Sequence, residues 1–303
     1  MTRGVLISIL LSASFSNQTG KIVPLLQFSD VIQVTANWDS DHLILLRQEQ
    51  GSVDRRVDVL LENTVTSSVV LQEDDRLIGV APSGGALIKK IESEREISYQ
   101  GKVQLFPGAQ YRPILTSGIV LQRFTKMTAF WEYGYDATAV HTIPFRASIL
   151  SRYRKKVMTV ESIRPPTLRF REPRISDQLL WIVDLGLRSG NRKVVPLNIH
   201  QDSNSFQCIT WGALSDDTLL ALGGWLSHDE QLIGGFKNEL CIVIFDSTSG
   251  EMKQILPYKH ANEYDDVELV IFNSGKRAAI KIGKNLEIMD TMRFSESRDT
   301  REI

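Results

Sequence analysis

The chain has 303 residues, with 35 Lys+Arg against 36 Asp+Glu, a net charge of −1, and 42% apolar residues. That balance removes a global electrostatic drive toward nucleic acid or an anionic membrane surface, and the composition is that of a folded chain rather than a disordered one. The length suits two ordinary domains or one large closed repeat unit.

In chain order, the first segment stands apart. Arg3 precedes the apolar run Gly4 to Phe15, and Ser14-Phe15-Ser16 offers a small-x-small cleavage site before Asn17. Residues 1–16 therefore read as a signal peptide, which implies export to the periplasm or the exterior; uncleaved, the chain would be cytoplasmic. The competing reading is a buried first strand or short core helix. No later run reaches the roughly 18 apolar residues of a membrane span.

From Val31 a hairpin signal begins and then recurs: a β-rich run, a short Ser/Asp/Gly turn, and four to six apolar residues. The first copy runs from Val31 through Trp38-Asp39-Ser40-Asp41 to Leu46. Weaker copies follow at Val69–Leu71, turning at Glu73-Asp74-Asp75 into Leu77–Ala81, and at Ile114-Leu115, turning at Thr116-Ser117-Gly118 into Ile119–Leu121. Next, Trp131, Tyr133 and Tyr135 share one face of a strand by alternation, either packed between sheets or displayed as a stacking surface.

The stretch 142–177 has room for a divergent strand pair. It also carries a basic segment, 152–174, with Arg152, Arg154, Lys155, Lys156, Arg164, Arg169, Arg171 and Arg174 around Pro165-Pro166. That segment reads as a solvated loop or irregular edge strand, or alternatively as a loop that holds a small anion through Arg forks.

Leu179–Asp184 leads through Ser189-Gly190 to Lys193–Pro196, and the best-defined blade spans Ser205 to Pro257. Its strands are expected at Phe206–Trp211, Thr218–Leu222, Leu240–Asp246 and Met252–Leu256. A long insertion from Gly223 to Gly235 holds Trp225 and His228. The last copy turns at Asn273-Ser274-Gly275 between Val267 and Ile280, Leu286–Asp290 follows, and 295–303 is a polar tail.

A unit repeated in this way cannot bury its apolar face alone and must stack on its neighbours. The expected fold is all-β, a single β-propeller of about six four-stranded blades over residues 17–294. Within one blade, Cys208 and Cys241 fall on the first and third strands, about 9.5 Å apart at roughly 4.8 Å per strand, beyond the reach of about 7 Å for a disulfide. Two free, buried thiols are expected.

No nucleophile elbow, His-Glu-x-x-His, Cys-x-x-Cys, phosphate loop or dinucleotide fingerprint occurs. The five histidines are scattered, and Asp39-Ser40-Asp41 lacks the Gly and Glu that a calcium loop needs, so no metal or cofactor is expected. Asp74-Asp75 and Asp216-Asp217 sit in repeat turns, where Asp is wanted for local hydrogen bonding; Asp265-Asp266 is a further acidic pair.

The turn-plus-apolar-run pattern at Asp41, Asp217 and Gly275 resembles the degenerate blades of TolB-like and prolyl-oligopeptidase-type propellers. Leu219–Gly224 followed by Ile242–Asp246 is similar to a kelch blade, with its double Gly but without its terminal Trp. In prolyl-oligopeptidase-type enzymes, bacterial isopeptidases included, the propeller precedes a hydrolase domain, and this chain ends where that domain would begin. The resemblance implies a propeller that has lost its hydrolase or works with a partner chain, and it carries over no catalytic residue.

The functional expectation is a non-enzymatic binding or scaffolding module for a peptide or protein partner, with no nucleic acid. Trp131, Tyr133, Tyr135, Trp225 and His228 are the candidate ligand-binding residues, at one mouth. The enzyme alternative is a glycan-active hydrolase or lyase with carboxylates converging at the central channel.

Overall fold

The computed structural model describes residues 24–62, 64–73, 75–80, 85–89, 114–116, 119–132, 140–147, 150–163, 177–186, 191–197, 205–215, 218–226, 238–259 and 266–294. The signal-peptide reading of 1–16 and the tail 295–303 lie outside them.

Strand β1 is Leu26–Phe28. The first blade is formed by β2 (Val31–Ala36), β3 (His42–Arg47), β4 (Arg55–Leu61) and β5 (Thr64–Leu71), and a two-stranded sheet by β6 (Arg76–Val80) and β7 (Ala86–Lys89). The second blade holds β8 (Ile114–Thr116), β9 (Ile119–Arg123), β10 (Thr128–Glu132) and β11 (His141–Ile143). The third holds β12 (Ser151–Tyr153), β13 (Lys156–Ile163), β14 (Asp177–Asp184) and β15 (Arg192–Pro196). The fourth is β16 (Ser205–Ser215), β17 (Thr218–Leu226), β18 (Asn238–Asp246) and β19 (Met252–Lys259). In the fifth, β20 (Val267–Phe272), β21 (Arg277–Ile282) and β22 (Asn285–Asp290) are completed by β1.

All neighbours pair antiparallel, as expected for short connections within each meander. The first strands of successive sheets touch: β2 meets β6, β6 meets β8, β12 meets β16, β16 meets β20, and β20 meets β2. One apolar cluster joins Ile119, Leu121, Phe130 and Ile143 of the second blade to Leu150, Val157, Val183 and Leu185 around the third, completing the ring. The chain is a single β-propeller.

Its blade count corrects the sequence expectation. Among the described residues there are five four-stranded blades, not about six, accompanied by the two-stranded β6–β7 sheet. The turn signal at Glu73–Asp75 is not a hairpin within a blade but the connector from the outer β5 to the inner β6. Arg55 Nη2 donates to the carbonyls of Gln72 and Asp75 at 3.2 and 3.1 Å, and Asp75 is buried there. An interblade connector and a hairpin turn need the same Asp chemistry, so composition does not distinguish them.

Between 142 and 177 the divergent strand pair is present as β12–β13; of the basic residues, Arg152 lies on the edge strand β12, Lys156 opens β13, and Arg154 and Lys155 form the exposed turn between them. Arg154 takes the left-handed turn position (φ 49°), and Lys156 lies 5.6 Å above the Tyr153 ring.

The core lies in wedges between blades rather than at one centre. Each inner strand leaves one edge without a sheet neighbour, and several N–H groups on these edges find a side-chain oxygen on the neighbouring blade. Leu269 N donates to Thr210 Oγ1 (3.1 Å), Ala213 N to Ser151 Oγ (3.3 Å), and Val34 N to Glu268 Oε2 (3.4 Å). This accounts for polar residues such as Thr210 and Ser151 in an apolar interior, because a buried donor without a partner is costly.

The hairpin turns lock in a related way. Gly275 (φ 84°) sits so close to the Leu214 carbonyl that a Cβ would lie 1.7 Å from it, and a Cβ at Gly250 (φ 75°) would lie 1.8 Å from the Pro196 carbonyl. Asn273 N and Ser274 N donate to the carbonyls of Ser40 and Trp38. Trp38 belongs to the largest core cluster although it follows β2 of the first blade. Its indole donates to the Ala213 carbonyl of the fourth blade at 2.8 Å and meets Tyr153 of the third edge-on at 6.3 Å.

A buried tryptophan shared by three blades makes a specific demand on stability. Trp38→Ala is expected to cost about 3–5 kcal/mol in urea-induced unfolding, and Trp38→Phe to recover all but roughly 1–2 kcal/mol while lacking the indole hydrogen bond. Equal, small losses for both variants would show that the ring does not depend on this contact.

Candidate functional site

The residues singled out from sequence do not form one described surface. Trp131 lies on β10 opposite Val120 and is only 6% exposed, with Phe130 on the other face fully buried. Tyr133, Tyr135 and His228 lie outside the described residues. The backbone at Trp225 is not loop: β17 continues to Leu226, and Trp225 pairs with Phe206 on one side and Glu239 on the other. The Gly223–Gly235 insertion thus begins as strand, with Gly223 and Gly224 paired to Cys208 and Gln207 beside a bulge at Ile209 of β16, since glycine suits a strand beside a bulge as readily as a loop.

Several of the described carboxylates are engaged in holding the fold. Asp58 is buried between Arg56 Nε (3.0 Å) and Arg47 Nη1 (3.3 Å) and accepts from Ser68 Oγ at 2.7 Å. Lys281, 2% exposed, sits between Asp266 (2.8 Å) and Glu268 (3.1 Å), and burial, partly offset by Lys281, raises the Glu268 pKa. Glu287 accepts from Gln27 Nε2 at 3.0 Å and from the Tyr258 hydroxyl, tying β1 and β19 to the fifth blade. Glu132 pairs with Arg152 at 2.6 Å, joining the second and third blades, and Glu161 accepts from Trp181 Nε1.

Asp246, at the exposed β18–β19 turn, accepts from Thr248 N and Ser249 N and pairs with Lys253 at 2.7 Å. The bond from Lys253, followed by the two turn amides, holds its pKa down to about 2.

His141 and the two cysteines are enclosed. His141 stacks on Phe130 at 5.6 Å, and burial lowers its pKa. Cys208 and Cys241 are free and buried, both facing Gly223 of the intervening β17, two strands apart as the repeat requires. Burial, and secondarily the neighbouring Cys241, raises the Cys208 pKa far above the ordinary thiol value. Among the described residues no group of three or more His, Cys, Asp or Glu could hold a metal ion.

One opening lined by described residues lies elsewhere, in a groove of about 430 Å3 between the first blade and the β6–β7 sheet. Val57 and Val59 of β4 line its floor, with Val69 and Ser67 of β5 directly opposite them, and Ala86 and Ile88 of β7 form the far wall. His42 stands at one end, its Nδ1 held by Asp41 at 3.0 Å. The surface is apolar and largely uncharged, suited to holding an apolar side chain rather than to acid–base chemistry. The sequence reading missed it. The available signal was the run Thr64–Leu71, eight residues of high β propensity without a charge or proline, but a lone strand shows neither its place in the sheet nor its neighbour.

No family model and no curated protein matches the chain. Solved structures similar to it include the Neurospora crassa Pan2 WD40 domain, at 10% identity and TM-score 0.43, covering 91% of this chain and 90% of that one. Hydrazine synthase of Kuenenia stuttgartiensis matches at 10% identity and TM-score 0.41, covering 95% and 83%. The β-propeller domain of the Trilobed protease from Pyrococcus furiosus matches at 11% identity and TM-score 0.32, covering 87% and 70%. At such values the fold assignment rests on the strand pairing itself.

Two outcomes follow from this electrostatic arrangement. Neither Cys208 nor Cys241 should react with an aromatic disulfide reagent in the native protein, and both should react in denaturant; a fast native phase would contradict their burial. For Asp246, whose pKa is depressed on folding, the stabilisation is present above the ordinary carboxyl value and is lost as pH falls toward about 2. Asp246→Asn should therefore make the melting temperature less pH-dependent between about pH 4 and pH 2.

Proposed function

We propose that this chain is a non-enzymatic propeller scaffold that holds a peptide or protein partner. The observation that carries this reading is the groove between the first blade and the β6–β7 sheet: an apolar, uncharged recess on a rigid frame, bordered by the half-exposed Val69. A soluble surface that keeps such residues uncovered beside a recess is suited to association.

Several described carboxylates support the same reading from another side. They bind arginines, lysine, tyrosine and turn amides within and between blades rather than facing one another across an opening. Arg152 and Lys156 are likewise engaged, with Glu132 and the Tyr153 ring, while Arg164, Arg169, Arg171 and Arg174 lie outside the described residues, so a small anion held at 152–174 is a proposal that concerns the remaining basic residues. Kinship with TolB-like or prolyl-oligopeptidase-type propellers belongs to this reading as a proposal about ancestry, and export with a mature start near Asn17 as a proposal about location.

The test is purification of the native protein from its own cells, with mass spectrometry of the intact chain and of co-eluting proteins. A stoichiometric partner retained through two orthogonal columns is the expected result. A chain that elutes alone and turns over glycans or peptides would overturn the scaffold reading, and a retained Met1 would overturn export.

A further inference from the structure

Outer strands of a sheet present unpaired N–H and C=O groups, and natural proteins blunt them with charge, proline or short length. Four of the five blades here do so. The outer β19 carries Lys253, Pro257 and Lys259, and β15 carries Arg192, Lys193 and Pro196, while β11 and β1 have three residues each. The first blade does not. Its outer β5 is eight residues long, Thr-Val-Thr-Ser-Ser-Val-Val-Leu, with neither charge nor proline, and among the described residues it pairs only with β4. All of it but Leu71 is exposed, Val69 by 50% and Val70 by 64%.

We propose that β5 is a docking edge, to which an extended, uncharged segment of a partner protein adds as a fifth strand of the first blade. This deepens, and rests on, the scaffold reading above. The geometry selects the occupant in three ways. A single bulge at Thr66, whose hydroxyl donates to the Val59 carbonyl, lies toward one end and leaves Ser67–Leu71 regular and available for main-chain pairing. Ser67 and Val69 share a face with Val59 and Val57, so a strand laid beside β5 sends alternate side chains into the groove against Val69, Ala86 and Ile88, which calls for apolar residues at i and i+2. Among the described residues that line the groove, His42 is the one ionisable side chain and is already held by Asp41, so a charge entering there would meet no counter-ion from them.

The test uses the full chain and a displayed library of random ten-residue peptides, selected on the native protein and followed by hydrogen exchange of the complex. The expected peptides lack proline and alternate apolar with neutral polar residues. The best of them should slow exchange at amides of Ser67–Leu71 and lose at least about tenfold in affinity on Val69→Lys or on Ser67→Lys, a factor that corresponds to about 1.4 kcal/mol. Both positions are exposed, and unchanged melting of either variant separates lost binding from lost folding. A copy of the same peptide N-methylated at alternate amides should not bind, because its side chains persist while its edge does not. Enrichment of peptides indifferent to both variants, protection elsewhere on the propeller, equal binding by the N-methylated copy, or no enrichment over the Val69→Lys protein would each overturn the proposal. A co-purifying native partner that the two variants fail to release would overturn the docking edge and leave the scaffold reading standing.

Discussion

Closure of the ring depends on one strand pairing that joins the two ends of the described fold. Leu26, Gln27 and Phe28 pair with Ile288, Glu287 and Leu286, so the fifth blade is complete only when residues 260 positions apart in the chain have met. Around that seam the packing is continuous. Leu26 and Phe28 lie against Val31, Val34 and Leu45 of the first blade as well as Ala279 and Ile288 of the fifth, and Gln27 reaches Glu287, which also receives the Tyr258 hydroxyl of the fourth. Opening the pairing would expose apolar faces on two blades and strand a buried carboxylate, penalties that no blade meets alone.

The same logic explains why charge is buried here at all. Propeller blades meet face to face, and a polar side chain within such a wedge is tolerated only when its partners are fixed. Lys281 with Asp266 and Glu268, and Asp58 with Arg47, Arg56 and Ser68, are such sets. Glu268 does double duty by also accepting the Val34 amide, which links an ion pair in the fifth blade to the inner edge of the first. Trp38 adds an apolar link of the same kind, crossing to Tyr153 and the Ala213 carbonyl. Contacts between blades, rather than within them, specify how the sheets are set around the ring.

The scaffold reading proposed above draws on which described side chains are enclosed and which are uncovered. The protein's thiols and His141 are buried, several of its described carboxylates are engaged, and three exposed valines, Val65, Val69 and Val70, lie along the first blade's outer edge. Propellers host unrelated functions on one architecture, so the reading of this chain rests on that edge and groove and not on the fold.

Much of the fold is legible in the amino-acid sequence because strand and turn chemistry are local. β-rich and apolar runs on either side of Ser/Asp/Gly turns marked β2–β3, β14, β18 and β20–β22 within a residue or two, and the two-strand separation of Cys208 and Cys241 followed from the hairpin spacing. Trp225 in β17 and the basic β12–β13 hairpin show the limit, since glycine and arginine suit loops and strands alike until neighbours are present. Local chemistry also fails at Glu73–Asp75, where one turn signal serves a connector between sheets, and the blade count shifts with it. Closure by β1, the reach of Trp38 across three blades and the groove beside β5 were decided only in the tertiary structure, because each depends on which strands become neighbours and on which outer edge is left uncovered. Those are properties of pairs of segments far apart in sequence, and no window along the chain contains them.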